Sequence, residues 1–406
     1  MPTVVFAAPY FLEATLRFVD AAASLPDVRF GLVSHDPEDK LPDGLRRKVA
    51  AHWRVTDSLD PAQLTNAVQG LSQKLGPVHR LIGSLEELQV PLAEARAALG
   101  IPGMSVEAAK NFRDKSRMKT VLQQAGLPCA RHRLAGTRDE ALAFARKIGF
   151  PLVVKPPAGA GARNTFRVED EARFAEWLAA MPPTPERPAL LEEFVTGDEH
   201  SFDSVFVQGR PVWHSISRYY PTPLDVLQNP WIQWCVLLPR EIDGAEFDPI
   251  RGAAAAALKT LGLETGLTHM EWFRRRDGRV AISEVAARPP GAQFTTLISY
   301  AHDFDLYRAW ARLLVFEAFD PPPRRWAVGA AFLRGQGEGR VQAVHGLDVA
   351  QKELGPLVVE ARLPRPGQAP SGGYEGEGYV IVRHSDTAVV EQALARLVGL
   401  IRVELG

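Results

Sequence analysis

The sequence predicts a multidomain protein of mixed α/β and α+β class. Two patterns and a length carry this expectation. The first hundred residues alternate short apolar runs with helical spacing, the mark of βαβ units around a parallel sheet. The middle of the chain turns to successive strands of antiparallel type. At 406 residues the chain is long enough for two to four domains or subdomains.

The elements follow in order. Thr3–Ala8 is an apolar run, and Phe11–Ser24 has helical spacing at Leu12, Leu16, Val19 and Ala23. Arg29–Ser34, His52–Val55 and Val78–Ile82 are further strands. Gly83-Ser84 then leads into a helix, Glu86–Leu99, and Gly100-Ile101-Pro102-Gly103 punctuates its end. Residues 104–125 read as one helix closed by Gly126-Leu127-Pro128. The next helix, Arg138–Lys147, has Thr137 as N-cap and Glu140 completing a capping box. A strand at Phe150–Lys155, a Gly/Ala loop, a strand at Thr165–Val168 and a helix at Asp170–Ala180 come next. The proline-rich loop Met181–Pro188 precedes a strand at Ala189–Val195. Ser201–Val207 and Pro211–Arg218 read as antiparallel strands, residues 219–245 as irregular, and Glu246–Leu261 as a helix. Pro321-Pro322-Pro323 marks a linker. Beyond it lie strands at Val328–Leu333 and Gly378–Val382 and a helix at Thr387–Val398, with no repeat of fixed period.

Composition excludes several classes. With 47 basic and 48 acidic residues the formal net charge is −1, so the long-range positive field of a nucleic-acid binder is missing. Two cysteines, Cys129 and Cys235, make neither a disulfide framework nor a zinc site and suit reduced thiols in a cytoplasmic protein. The start reads as a first strand, not a signal peptide, and no stretch of about 18 apolar residues announces a membrane span.

The strongest local signal is a hairpin. Gly266–Arg276 and Arg279–Ala286 flank Asp277-Gly278, a dipeptide suited to a two-residue loop. Such a loop pairs Arg276 with Arg279, Phe273 with Ile282 and Glu271 with Glu284. Both glutamates then share a face, because side chains alternate along a strand. Directly opposed like charges, about 4.5–5.5 Å apart at Cβ, are destabilising. A divalent cation between them resolves the clash, and magnesium is usually held by one or two carboxylates plus substrate phosphates. Glu271 and Glu284 are therefore the candidate metal ligands.

Four ordered segments surround this hairpin: Asp114-Lys115-Ser116-Arg117-Met118-Lys119; Phe150-Pro151-Leu152-Val153-Val154-Lys155-Pro156 with Gly159 and Gly161; Leu191-Glu192-Glu193-Phe194-Val195-Thr196-Gly197-Asp198-Glu199; and Glu284-Val285-Ala286-Ala287-Arg288-Pro289-Pro290-Gly291. Together they resemble the ATP-grasp superfamily, and within it the carboxylate–amine (amino-acid) ligases. The resemblance implies an ATP-grasp fold with an N-terminal Rossmann-like domain at 1–103, the grasp at 104–320 with a lid at about 120–195, and a C-terminal β-rich domain at 321–406. It implies ATP with magnesium, or manganese in its place. Lys115 and Lys155 would contact phosphates, and Gly159 and Gly161 would let backbone amides close over them. Glu192, Glu193, Phe194 and Val195 would seat adenine, Glu199 would hold the ribose, and Arg288 with Lys155 would act in catalysis. An arginine fork suits a carboxylate or the acyl phosphate made from it. The implied reaction joins a small-molecule carboxylate to an amine, with amino acids the expected substrates. A cytoplasmic homodimer is the default expectation for such a chain, and composition argues against nucleic-acid and membrane partners.

One position departs from the family pattern. An asparagine is usual two residues after the second glutamate, and here stands Ala286, opposite His269 in the hairpin. A carboxylase acting through carboxyphosphate is therefore the first alternative, and a non-catalytic nucleotide-binding regulator the second. Tyr219, Tyr220, Trp231 and Trp234 are candidate pocket residues near Arg218. Ser116-x-x-Lys119 matches a penicillin-recognising motif formally but lacks its downstream K-T-G partner.

Overall fold

A computed structural model describes residues 1–158, 164–229, 232–371 and 373–406. Gly159 and Gly161, and Trp231 of the pocket candidates, lie outside the described residues.

Strands β1 (Thr3–Ala7), β2 (Arg29–Ser34), β3 (Ala51–Arg54) and β4 (Val78–Ile82) form a parallel sheet in the order β3-β2-β1-β4. β1 is buried along its whole length, as expected of a strand covered on both faces by helices. The next sheet, in the order β5-β8-β6-β7, contains β5 (His132–Ala135), β6 (Leu152–Lys155), β7 (Phe166–Val168) and β8 (Ala189–Glu193). Its pairs are antiparallel.

The largest sheet runs through eight strands, beginning with β9 (Gly197–Val207), β10 (Arg210–Tyr220), β11 (Trp234–Leu238), β12 (Gly266–Arg275), β13 (Val280–Ala286) and β14 (Ala327–Leu333). After β15 (Gly335–Gln336) and β16 (Val341–His345), it is completed by β17 (Val358–Arg362) and β18 (Gly378–His384). Its order is β13-β12-β9-β10-β11-β14-β18-β17. β19 (Arg402–Leu405) joins β15 and β16 in a small separate sheet. The triple proline thus interrupts the chain but not the sheet, since β14 pairs with β11 from Trp234↔Phe332 to Leu238↔Val328.

Several expectations are corrected. Residues 104–125 form two helices, Val106–Arg113 and Lys115–Gln124. Asp114 breaks them apart by taking an extended conformation and capping the second through the Arg117 amide. Residues 219–245 are not all irregular: they hold a helix, Pro223–Gln228, started by Thr222 and Pro223, and the fully buried strand β11. β5 had no recognisable sequence signal. It is a four-residue strand whose central side chains are exposed.

Candidate functional site

The hairpin corrects the sequence reading and then rescues it. The loop is not the Asp277-Gly278 pair. The Gly278 amide donates to the Arg275 carbonyl and the Arg275 amide to the Arg279 carbonyl, with Gly278 at φ 79°. This is a three-residue loop closed by a left-handed glycine. It pairs Phe273 with Ala281 rather than Ile282, and Trp272 with Ile282. The register then shifts between Trp272 and Glu271, leaving Ser283 as an extra residue on β13. Beyond this bulge Glu271 faces Glu284, and His269 faces Ala286. Neighbouring backbone groups are satisfied from outside the hairpin. Lys119 Nζ donates to the Ser283 carbonyl at 2.8 Å, and the Ile282 amide donates to the Pro128 carbonyl at 2.8 Å.

The glutamates border a cavity of about 1250 Å³ that also reaches Lys115, Lys155, Glu199 and Arg288. Lys115 Nζ lies 2.7 Å from Glu284 Oε1. Burial raises the pKa of Glu284, but Lys115 and Lys155 outweigh it and hold the carboxyl below its usual range. Glu271 moves the other way, pushed up by burial and by the charge of Glu284. Glu199 is raised well above normal by burial, then by Glu271 and Asp225. Glu199, Glu271 and Glu284 thus border one cavity, and burial and mutual repulsion raise the first two. Two opposed, half-buried carboxylates bordering this cavity fit a hard divalent cation. The described residues contain no group of three or more metal-ligating side chains, so such an ion would need further ligands from its substrate or water.

Lys155 ends β6 and is held by Glu192 of the neighbouring β8, at 3.0 Å from Oε1. Lys119, fully buried, approaches Oε2 of the same carboxylate at 3.4 Å. Burial opposes charge on Glu192, yet the two lysines hold its pKa below normal. The Glu192 side chain is therefore engaged with lysines rather than held free for a base edge. Glu193 is tied outward by Arg131 at 2.5 Å and Arg275 at 3.1 Å, and its amide donates to the Arg131 carbonyl. Phe194 and Val195 border the cavity, with the Arg167 guanidinium 4.1 Å from the Phe194 ring centre. Gly197, at φ 155°, lies so close to β12 that a Cβ there would sit 2.2 Å from the Arg274 carbonyl oxygen.

Arg288 borders the cavity while its Nε and Nη2 donate to Glu86 at 3.0 and 2.7 Å. His269 donates from Nδ1 to buried Asp203 at 2.7 Å. Burial disfavours its charge, but Asp203 prevails and raises its pKa. Sequence reasoning missed Glu86, Lys119, Asp203 and Tyr374. Lys119 was visible in the same short segment as Lys115. Glu86 and Asp203 lie 202 and 66 residues from their partners, and only the fold brings them together. Of the aromatic candidates, Tyr219 and Trp234 border the cavity. Tyr220 instead donates from its hydroxyl to Glu391.

Residues 120–302 match the ATP-grasp domain family. The chain is similar to the L-arginine-specific L-amino acid ligase of Bacillus subtilis, with 23% identity over 273 residues. The match covers 66% of this chain and 65% of that protein, just under two thirds of the relative's length. Its fold is similar to that of an L-amino acid ligase from Bacillus licheniformis, with a TM-score of 0.79, 18% identity and coverage of 100% and 99% of the two chains. It is also similar to the N5-carboxyaminoimidazole ribonucleotide synthetase of Thermotoga maritima, with a TM-score of 0.72, 16% identity and full coverage of both chains. No described helix is long and apolar enough to cross a membrane. The domain match over residues 120–302 and the architecture shared along the whole chain show an ATP-grasp fold.

Proposed function

We propose that the chain is an ATP-dependent ligase that activates a carboxylate as an acyl phosphate and joins it to an amine, with amino acids as substrates. The observation that carries this reading is the Glu271–Glu284 pair, facing a cavity that Lys115 and Lys155 also border. Glu271 and Glu284 would hold magnesium, which when bound offsets charge on the phosphates. Lys155 and Lys115 would bind phosphate oxygens as compact charges. The segment 192–195 would seat the base, and Glu199 the ribose. Arg288 would hold the carboxylate being activated.

A carboxylate oxygen would attack the γ-phosphorus and break its bond to ADP. The amine nitrogen would then attack the acyl carbon, breaking the carbon–oxygen bond to phosphate and releasing a proton. The chain's contribution is positioning and charge stabilisation, as in phosphoryl transfer generally. The proposed division is 1–103, 104–320 with a lid at about 120–195, and 321–406. The last boundary is one along the chain, because the large sheet crosses it.

The charges around the cavity support amino-acid substrates over phosphorylated ones. Among the described residues bordering it, the lysines and arginines are Lys115, Lys155, Arg167 and Arg288. The first two meet carboxylates of the nucleotide end, Arg167 lies over Phe194, and Arg288 is bound to Glu86. Among the described residues, a second substrate bearing a phosphate would find little compensating charge. One feature, the small Ala286, favours the carboxylase alternative. The test is a screen of amino acids, singly and in pairs, for phosphate release, with mass spectrometry of products. Release with amino-acid pairs supports the ligase. Release that needs bicarbonate and no amino acid favours the carboxylase, and no release from any combination favours the regulator. Size-exclusion chromatography with light scattering tests the expected homodimer.

A further inference from the structure

The cavity changes character across the large sheet. On β13, β12 and β9 it meets Glu284, Glu271 and Glu199; on β10 and β11 it meets Tyr219 and Trp234. Tyr219 pairs with Val236 on β11, and Trp234, two residues from Val236, shares that face. The rings form one connected wall. Trp234 lies 5.9 Å from Tyr219, and Tyr219 meets Phe294 edge-on at 6.1 Å and 89°. Tyr374, far along the chain, meets Trp234 at 4.7 Å and 69°. Such edge-to-face arrangements are favourable and fix ring orientation.

Backbone anchors hold Tyr374 in place. The carboxylate of buried Glu377 accepts from the Gly335 amide at 2.5 Å and the Ser371 amide at 3.0 Å, pinning the segment to β15. Tyr374 borders the same cavity as Glu271 and Arg288, so the wall shares its space with the residues proposed to meet the reacting carboxylate. Leu224 and Leu227 extend the apolar lining. The nearby Asp225 carboxylate accepts from the Thr222 hydroxyl at 2.8 Å.

We propose that Trp234, Tyr219, Phe294 and Tyr374 form the side-chain subsite for the substrate whose carboxylate Arg288 holds, and that this substrate is an amino acid with a large apolar or aromatic side chain. The proposal rests on the ligase reading for the chemistry but not for the binding. Binding and turnover are therefore measured separately on the full chain. Calorimetry and tryptophan fluorescence would compare phenylalanine, leucine and methionine with glycine, aspartate and lysine, and phosphate release would be followed with the same set. Phenylalanine, leucine and methionine should bind at least tenfold tighter than glycine, aspartate and lysine. Tyr374→Ala should remove roughly tenfold of that preference while leaving a non-hydrolysable ATP analogue bound as before. Trp234→Phe tests the wall again without opening a large hole. Binding that ignores side-chain size, or that favours lysine, overturns the proposal. Selective binding without any phosphate release leaves the subsite standing and counts against the ligase.

Discussion

One oxygen of Glu86 accepts two hydrogen bonds from Arg288, and its other oxygen lies 3.1 Å from Arg113 Nη1. Glu86 is buried and follows the parallel sheet, whereas Arg288 follows the second hairpin glutamate by four residues. The contact ties the segment after the N-terminal sheet to the part of the cavity that Arg288 borders. Glu86→Gln should lower turnover roughly 100-fold through misplacement of Arg288. It should leave affinity for a non-hydrolysable ATP analogue unchanged. Single-turnover phosphate release alongside nucleotide titration checks this, and equal loss in both would point to general unfolding instead.

Glu271→Gln separates stability from activity. Glu271 is destabilised as an anion by burial and by Glu284, so removing its charge should raise stability without divalent cation by about 1 kcal/mol. The same change should abolish turnover and shrink any magnesium-dependent rise in melting temperature. Thermal melts with and without magnesium measure both effects.

Glu192→Gln should have the opposite effect on the fold. It leaves Lys119 and Lys155 buried without their shared counter-charge, at a cost of about 3 kcal/mol. Urea unfolding should show a lower midpoint with little change in slope. A midpoint equal to the parent's would mean that the lysines find other partners.

Arg96→Met should stabilise the protein. Arg96 Nε and Nη2 are buried with no hydrogen-bond partner among the described residues, and burial pulls the guanidinium pKa down to about 10. Among the described residues only Nη1 finds an acceptor, the Leu81 carbonyl at 3.3 Å. A methionine of similar length removes the buried charge and keeps most of the packing, so a gain of about 1 kcal/mol is expected in denaturant titration.

Stability should fall as pH drops from about 6.5 towards 5. Burial lowers His200 and His302 to about 4, against roughly 6.5 in an unfolded chain. Both are neutral in the fold, and each uses Nδ1 to donate to a carbonyl, of Ser217 and Pro322 respectively. The unfolded state takes up protons first on acidification, so stability present above pH 6.5 is lost below it. Urea midpoints at pH 7.5, 6 and 5 should decline in order. A flat series would mean that the groups the fold raises, His269, Glu271 and Glu199, offset the two rings.

The sequence announced the parts of the site that depend on local pattern. Alternating apolar runs exposed the parallel sheet, and a Gly-containing turn between two extended runs exposed the hairpin. Ordered short segments pointed to Lys115, Lys155 and the glutamates. Hidden from it were features decided by tertiary partners. A sealed ion pair such as Arg288 with Glu86 leaves no spacing to read. The extra residue at Ser283 depends on Lys119 and Pro128 meeting the strand from outside. β11 lay in a stretch punctuated by prolines and tryptophans, and its identity comes from pairing with β14 across the linker.

The bulge at Ser283 makes the two ends of the hairpin independent. Between the tip and the carboxylates stand anchors that belong to other parts of the chain, so changes in the tip are absorbed before they reach Glu284. The outer loop, 276–278, is thus a natural place to graft a tag, a fluorophore or a longer insertion without retuning the chemistry. Deleting Ser283 would do the reverse. It would let the tip's register run on unbroken to Glu271 and Glu284, still opposed, and remove the Ser283 carbonyl that Lys119 anchors, so that an edit in the tip is no longer absorbed before it reaches the paired carboxylates.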